Sequence, residues 1–257
     1  MFKGGVRSEG KHEMANKGIL KALIERVGGR FSVALGIDLS SRNSEEIFRW
    51  FFASVLFGTR ISEIIVIKTY KEFEKVGIIS PAGILSTGWD GLVKILDRGG
   101  YVRYDFKTAT KFLDLSAALI DKFDGDLNVL HSTASEPRDL EDRLKALAKG
   151  IGDVTVNIFL REMRGIWGKA EPFPSELVVI AAGHMGILPS RSKDRGKLLA
   201  SLKKKWTDFG MKMKDFPDFE AALLRLGKDY CRKALCGKCP IKCECKDMKE
   251  RSPRVSL

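Results

Sequence analysis

Apolar residues recur at helical spacing along most of the chain and predict a succession of amphipathic helices. No segment shows the alternation of apolar and polar residues that is typical of strands, and we find no internal repeat. The fold class predicted is therefore all-α, built from many short helices. The predicted helices run from about Ala15 to Val27, Ser44 to Phe57, Ile61 to Tyr70, Asp90 to Leu96, Phe106 to Phe123, Pro137 to Ala148, Asp153 to Arg164, Glu176 to Ala182, Lys193 to Trp206 and Phe219 to Cys231, with another short helix opening at Pro81.

The most apolar stretch of the chain is the run from Phe51 to Phe57, with Arg49 and Arg60 on either side. A membrane-spanning helix needs roughly 18 or more apolar residues, so this run is too short to cross a bilayer. It predicts a helix buried in the core. The first residues are polar and charged, and no signal peptide is visible. We therefore expect no association with membranes.

Composition points to a partner with negative charge. The chain has 257 residues, a net charge of +12 and 44% hydrophobic residues, which suffices for one large domain or two lobes. A strongly basic balance suits a polyanion, although it also keeps proteins soluble.

All five cysteines lie between Cys231 and Cys245, which indicates a metal site in a reducing compartment. We expect a monomer in the cytoplasm, associated with the nucleoid if the source is prokaryotic.

The segment Lys149-Gly150-Ile151-Gly152-Asp153 joins two of the predicted helices. Glycine at both ends of the turn permits positive φ and lets the backbone approach another surface closely. Asp153 can cap the second helix, whose first N–H groups then favour a phosphate. The alternative interpretation is a tight helix–helix turn with no ligand.

The cysteines follow the pattern Cys231-x4-Cys236-x2-Cys239-x5-Cys245, with Cys243 inside the last interval. Four thiolates suit either a [4Fe–4S] cluster or a tetrahedral zinc ion, and the spacing alone does not distinguish them. It also leaves open whether Cys243 or Cys245 is the fourth ligand.

Hairpin and cysteines together resemble the helix-hairpin-helix DNA glycosylases of the endonuclease III superfamily, over roughly Ile47 to Cys245. The family hairpin reads Leu-x-Gly-Val/Ile-Gly-x-x-Thr-Ala, and residues 147–156 are similar, with one extra residue before the first glycine. The resemblance implies a two-lobed all-α fold that binds double-stranded DNA. One lobe would be a helical barrel over residues 44–150, and the other would combine residues 15–43 with 151–257.

The resemblance also implies a ligand set and DNA contacts. Iron–sulfur members end in Cys-x6-Cys-x2-Cys-x5-Cys, and only the first interval here is shorter, by two residues. The resemblance therefore implies a [4Fe–4S] cofactor. It also implies DNA contacts from the hairpin and from the end of the helix over residues 51–60. The ligands implied are Cys231, Cys236, Cys239 and Cys245, and the DNA-binding residues are Lys149, Gly150, Ile151, Gly152, Phe57, Thr59 and Arg60.

The catalytic positions differ from those of the bifunctional members, which carry a nucleophilic lysine two residues after the second hairpin glycine. Val154 stands there in this chain, so Schiff-base chemistry through that residue is excluded. In the alkyladenine branch a catalytic aspartate follows a short proline-containing loop. Glu176 falls in its place, and Glu171 is the second candidate. The resemblance thus implies a monofunctional DNA N-glycosylase, with a non-catalytic DNA-binding module and a zinc-stabilised interaction domain as alternatives.

Overall fold

The computed structural model describes residues 18–188 and 194–245. The predicted helix starts at Ala15 and Lys193 lie outside these residues. Short 3₁₀ segments lie at Leu39–Ser41, Met213–Asp215 and Cys236–Lys238, and a π-helical turn spans Gly227–Cys231. The α-helices of the described residues are α1 (residues 18–27), α2 (Phe31–Ala34), α3 (Ser44–Phe57), α4 (Glu63–Val76), α5 (Pro81–Gly99), α6 (Asp105–Phe123), α7 (Leu127–Thr133), α8 (Pro137–Lys145), α9 (Asp153–Glu162), α10 (Glu176–His184), α11 (Arg195–Asp208) and α12 (Phe216–Leu226).

The predicted all-α class is confirmed, since the described ranges contain no strand beyond one isolated bridge. Helix α5 contains a break at Gly88 (φ 67°, ψ 172°), which separates the two helices that the sequence predicted there. Helix α7 was not predicted. It has seven residues, and only Leu127 and Leu130 are buried, so it offers too few apolar positions to show a period.

The chain divides into two compact units. We call Ser32–Pro172 the hairpin unit, and the described residues of Met1–Phe31 and Phe173–Leu257 the cysteine unit. These limits differ from those expected from the sequence, which ended the first lobe at residue 150. Helix α9 and the segment before α3 belong to the hairpin unit.

Helix α3 forms the centre of the hairpin unit and is buried along most of its length. Phe52 stacks on Phe112 with ring centroids 4.1 Å apart, and such aromatic burial contributes about 1.5–3 kcal/mol per side chain. Trp50 donates a hydrogen bond from Nε1 to the carbonyl of Phe159 at 3.1 Å, which fastens α9 to α3. The apolar run is therefore a core helix, as predicted, and its packing explains why α9 lies in this unit.

The segment that precedes α3 is attached to the same helix α9. The backbone N–H of Ser32 donates to the Glu162 carboxylate at 2.9 Å, and both residues are buried. This bond joins the beginning and the end of the hairpin unit.

The cysteine unit has its own hydrophobic core, built from α1, α10, α11 and α12. Trp206 stacks on Phe219 with ring centroids 4.8 Å apart. A Cβ on Gly227 would lie 2.1 Å from the carbonyl oxygen of Leu177, so glycine permits the close approach of the π-helical turn after α12 to α10. None of the described helices combines the length and apolarity that a bilayer crossing requires.

Candidate nucleic-acid interface and cysteine cavity

The turn that connects α8 and α9 is exposed, except for one buried side chain that packs into the core. Lys149, Gly150 and Gly152 are exposed, whereas Ile151 is buried between them. The N–H of Ile151 donates to the carbonyl of Ala148 at 3.2 Å and closes the turn. Gly150 has φ +90°, a conformation that L side chains rarely adopt. The turn therefore keeps its backbone at the surface while one side chain fixes it to the core.

Only one of the two hairpin glycines is required by the backbone conformation. Gly152 has φ −117°, and a Cβ built there meets no atom within 4 Å. The expectation that both glycines serve the turn is therefore corrected, since Gly152 matters only if another molecule comes close.

The expectation that Asp153 caps α9 is corrected as well. Gly152 occupies the cap position without a side-chain hydrogen bond, and Asp153 forms an ion pair with Lys145 at 2.7 Å.

The absence of a side-chain cap leaves the first N–H groups of α9 at the exposed turn. The first four N–H groups of any α-helix lack partners inside the helix, and they carry the positive end of its dipole. The turn of Lys149 to Gly152 thus combines backbone donors, a lysine and surface exposure. This arrangement can bind an anion such as a phosphate.

The segment that follows α3 contacts α9 at one glycine. A Cβ on Gly58 would lie 2.1 Å from Oγ1 of Thr155, so the two elements approach closely there. The Thr59 hydroxyl donates to the carbonyl of Leu56 at 3.1 Å and hydrogen-bonds the Tyr101 hydroxyl. Burial raises the pKa of Tyr101 to about 12, so the phenol stays neutral. In this structure the Thr59 side chain is engaged inside the protein.

The other two predicted DNA-binding residues of this segment differ in exposure. Phe57 is partly buried, with its ring centroid 6.4 Å from that of Trp50. Arg60 is exposed, and no hydrogen bond or ion pair joins its side chain to a described residue. Of Phe57, Thr59 and Arg60, the arginine is the side chain that stands free to meet an anion.

Two further residues of the hairpin unit bear on chemistry at the turn. Val154, two residues after Gly152, is 63% exposed in the first turn of α9. Lys111 of α6 lies against Gly150, a proximity that the sequence analysis missed. The period of α6 shows that Lys111 is not a core residue, but it does not show which neighbouring segment covers it.

The two candidate catalytic carboxylates have different surroundings. Glu171, in the hairpin unit, forms an ion pair at 3.3 Å with the buried Arg164, which also donates to the carbonyl of Pro172. Glu176, in the cysteine unit, is the first residue of α10 and is exposed, while Ser175 caps the helix. Its side chain makes no hydrogen bond or ion pair with any described residue. Glu176 is therefore available to a ligand, and Glu171 already has a partner.

Four of the five cysteines line one cavity in the cysteine unit. Cys243 is exposed and is not part of the wall. Within the described residues, no three His, Cys, Asp or Glu side chains converge on a single metal-ion position. The residues of the wall are Cys231, Cys236, Cys239, Cys245, His184, Met185, Leu226, Tyr230, Ile241 and Lys242.

The cysteine loop is attached to the core and to α1. Ile241 is buried in the hydrophobic core of the unit. Arg26 of α1 donates to the carbonyl of Pro240 at 3.2 Å and pairs with Glu244 at 3.0 Å. The Cys245 thiol donates to the carbonyl of His184 at 3.4 Å. These contacts hold the last cysteine against α10.

The class of fold follows from this arrangement of helices: it is the all-α fold of endonuclease III. A solved structure described as a non-covalent endonuclease III–DNA complex matches the chain with a TM-score of 0.54 and 18% sequence identity, covering 93% of this chain and 97% of that chain. No protein-family model matches the chain, and no curated protein matches it. The predicted fold is therefore confirmed, and at this identity the likeness concerns the fold alone.

Proposed function

We propose that the protein binds double-stranded DNA and acts in DNA repair as a monofunctional N-glycosylase that excises a damaged or mismatched base. The observation that carries this proposal is the exposed Lys149–Gly152 turn at the uncapped start of α9, within an endonuclease III fold. The matched structure is a complex with DNA, which supports the same partner here. Arg60 and the net charge of +12 favour phosphate binding.

A base inside a duplex must leave the stack before its glycosidic bond is accessible, so base flipping belongs to the proposal. Positive charge develops on the sugar as that bond breaks, and a nearby carboxylate stabilises the charge or activates water. We assign this role to Glu176, because its carboxylate is exposed and has no partner among the described residues. Val154 supplies no amine, so the product would be an abasic site on an uncut strand.

We further propose that Cys231, Cys236, Cys239 and Cys245 hold a [4Fe–4S] cluster. Four thiols that line one cavity can supply the four thiolate ligands of such a cluster. Four thiolates also suit a tetrahedral zinc ion, and metal analysis distinguishes the two. The exposure of Cys243 favours Cys245 as the fourth ligand. When bound, the cluster would supply covalent cross-links between the end of the π-helical turn and the loop that follows it.

The experiment that tests the proposed function is single-turnover incubation with duplexes that each contain one lesion: an alkylated purine, an oxidised purine, a deaminated base or a mismatch. Release of a free base from at least one duplex supports the glycosylase. Binding without release from any duplex favours the alternative, a non-catalytic DNA-binding protein. The replacement of the family's aspartate by Glu176 and the absence of the lysine favour that alternative.

The hairpin can be tested at Gly152. Replacement by valine should be tolerated by the protein, because φ is −117° and the space around a Cβ is open. The added side chain would stand between the turn and an approaching phosphate, so affinity for duplex DNA should fall about 10-fold or more for all sequences. Fluorescence anisotropy with labelled duplexes measures this change.

Gly168 offers a matched control in the same unit. It is exposed, its φ is not positive, and a Cβ there also meets no atom within 4 Å. Gly168→Val should bind DNA like the unmodified protein. Equal affinity of the Gly152 and Gly168 variants would remove the hairpin from the interface.

A further inference from the structure

Lys111 of α6 reaches the hairpin turn from a different helix. A Cβ built on Gly150 would lie 3.3 Å from Cε and 3.6 Å from Nζ of Lys111. The ammonium end of the side chain therefore lies beside the turn. Because Gly150 has no Cβ, it leaves room for this approach.

The charge of Lys111 has no counterpart among the residues that the structure describes. Its side chain is half-buried, and no hydrogen bond or ion pair joins it to a residue that the structure describes. Burial lowers its pKa. Lys145 of α8 shows the opposite case, because hydrogen bonds to Asp153 and Asp142 raise its pKa.

A partly desolvated cation without an anion disfavours its own charged form. Lys111 lies beside Gly150, in the exposed turn that leads to the first N–H groups of α9. An anion bound at the turn would receive hydrogen bonds from those groups and would compensate the lysine charge. An ammonium group is a compact point charge that serves well as a phosphate ligand.

We infer that Lys111 binds a DNA backbone phosphate beside the hairpin turn, as a DNA-positioning residue; this inference rests on the proposed DNA binding. The unbound protein carries an uncompensated cation, and the complex supplies its partner. The same residue should thus cost stability in the free protein and contribute affinity in the complex.

The test compares the unmodified protein with Lys111→Met, Lys111→Arg and Lys122→Met, using anisotropy with a labelled duplex over a series of salt concentrations. Lys122 is an exposed lysine without a described partner in the last turn of the same helix, about 16 Å further along its axis. Removing one phosphate contact lowers the slope of log K against log salt by about 1. We expect this change, with about 10-fold weaker binding at low salt, for Lys111→Met only.

The melting temperature of the free protein is the second readout. Lys111→Met should melt at the same temperature as the unmodified protein or higher, because it removes an unmatched charge. A lower melting temperature together with an unchanged salt slope would make Lys111 a structural residue and overturn the inference. Equal slope changes for Lys111→Met and Lys122→Met would overturn it too, since the effect would then be one of net charge alone.

Three further outcomes relate this inference to the proposed function. If the unmodified protein binds DNA and Lys111→Met has the same affinity and slope, the inference fails while the proposed function stands. If borohydride traps the unmodified protein on lesion DNA but not Lys111→Met, with an unchanged slope, Lys111 is an amine nucleophile and the inference is overturned. Absence of DNA binding by the unmodified protein would overturn both.

Discussion

Replacing Glu176 by glutamine should lower the rate of base release about 10²-fold or more, the scale of one general acid–base or electrostatic group. Glutamine keeps the shape of the side chain and removes its charge. Glu176 is exposed and unpaired among the described residues, so this substitution breaks no described contact of the folded protein. The measurement is single-turnover base release from the duplex on which the unmodified protein acts, with affinity measured in parallel.

Glu171→Gln is the matched control for the carboxylate. The Glu171 carboxylate is already paired with the buried Arg164, so loss of its charge should affect the stability of the protein more than the rate of base release. Base release should change far less than in Glu176→Gln. Full activity of the Glu176 variant would move the catalytic role to another carboxylate, and Glu171 would be the next to test.

Because Val154 offers no amine, borohydride should trap no protein–DNA adduct through that residue. The strand at the abasic site should remain uncut, and denaturing gel electrophoresis with and without alkali detects this directly. Trapping by the unmodified protein would demonstrate an amine nucleophile elsewhere in the chain.

The second large effect concerns iron. Protein purified under reducing, anaerobic conditions should be brown and should contain about four irons per chain, as a [4Fe–4S] cluster requires. Cys236→Ser and Cys239→Ser should lose that iron, because each removes a thiolate from the wall of the cavity. Metal analysis and the visible absorption spectrum provide the measurement.

Cys243→Ser is the internal control, since Cys243 is exposed and does not line the cavity. It should keep the full iron content, whereas Cys245→Ser should lose it. The reverse result would make Cys243 the fourth ligand. Colourless protein with one zinc per chain would contradict the cluster.

The sequence was sufficient to predict helices where burial leaves a clear apolar pattern. The run from Phe51 to Phe57 is apolar apart from Ser54, and the structure makes it part of the central helix of its unit. The boundary between the units was harder to predict. It depends on tertiary bonds, such as that from Trp50 to the carbonyl of Phe159, and no local pattern encodes such a bond.

At the candidate site, motif spacing predicted the position of the hairpin. It did not predict the role of each residue in that turn. Gly150 and Gly152 look equivalent in the sequence, and only the φ angles separate a glycine that the turn needs from one that the turn does not. Thr59 is a predicted DNA-binding residue, although its hydroxyl is hydrogen-bonded to that of Tyr101. Lys111 belongs to no motif, because its proximity to the turn arises from contacts between separate helices.

The close approach of Gly58 to Thr155 has a consequence for mutational studies of this surface. Even one methyl group at position 58 would sit 2.1 Å from the threonine oxygen, so the Thr155 side chain, α9 or the end of α3 would have to shift. A shift of α9 would carry the Lys149–Gly152 turn with it. A Gly58 variant with impaired DNA binding would therefore report a mechanical linkage between the two segments, and would be no evidence that position 58 touches the nucleic acid.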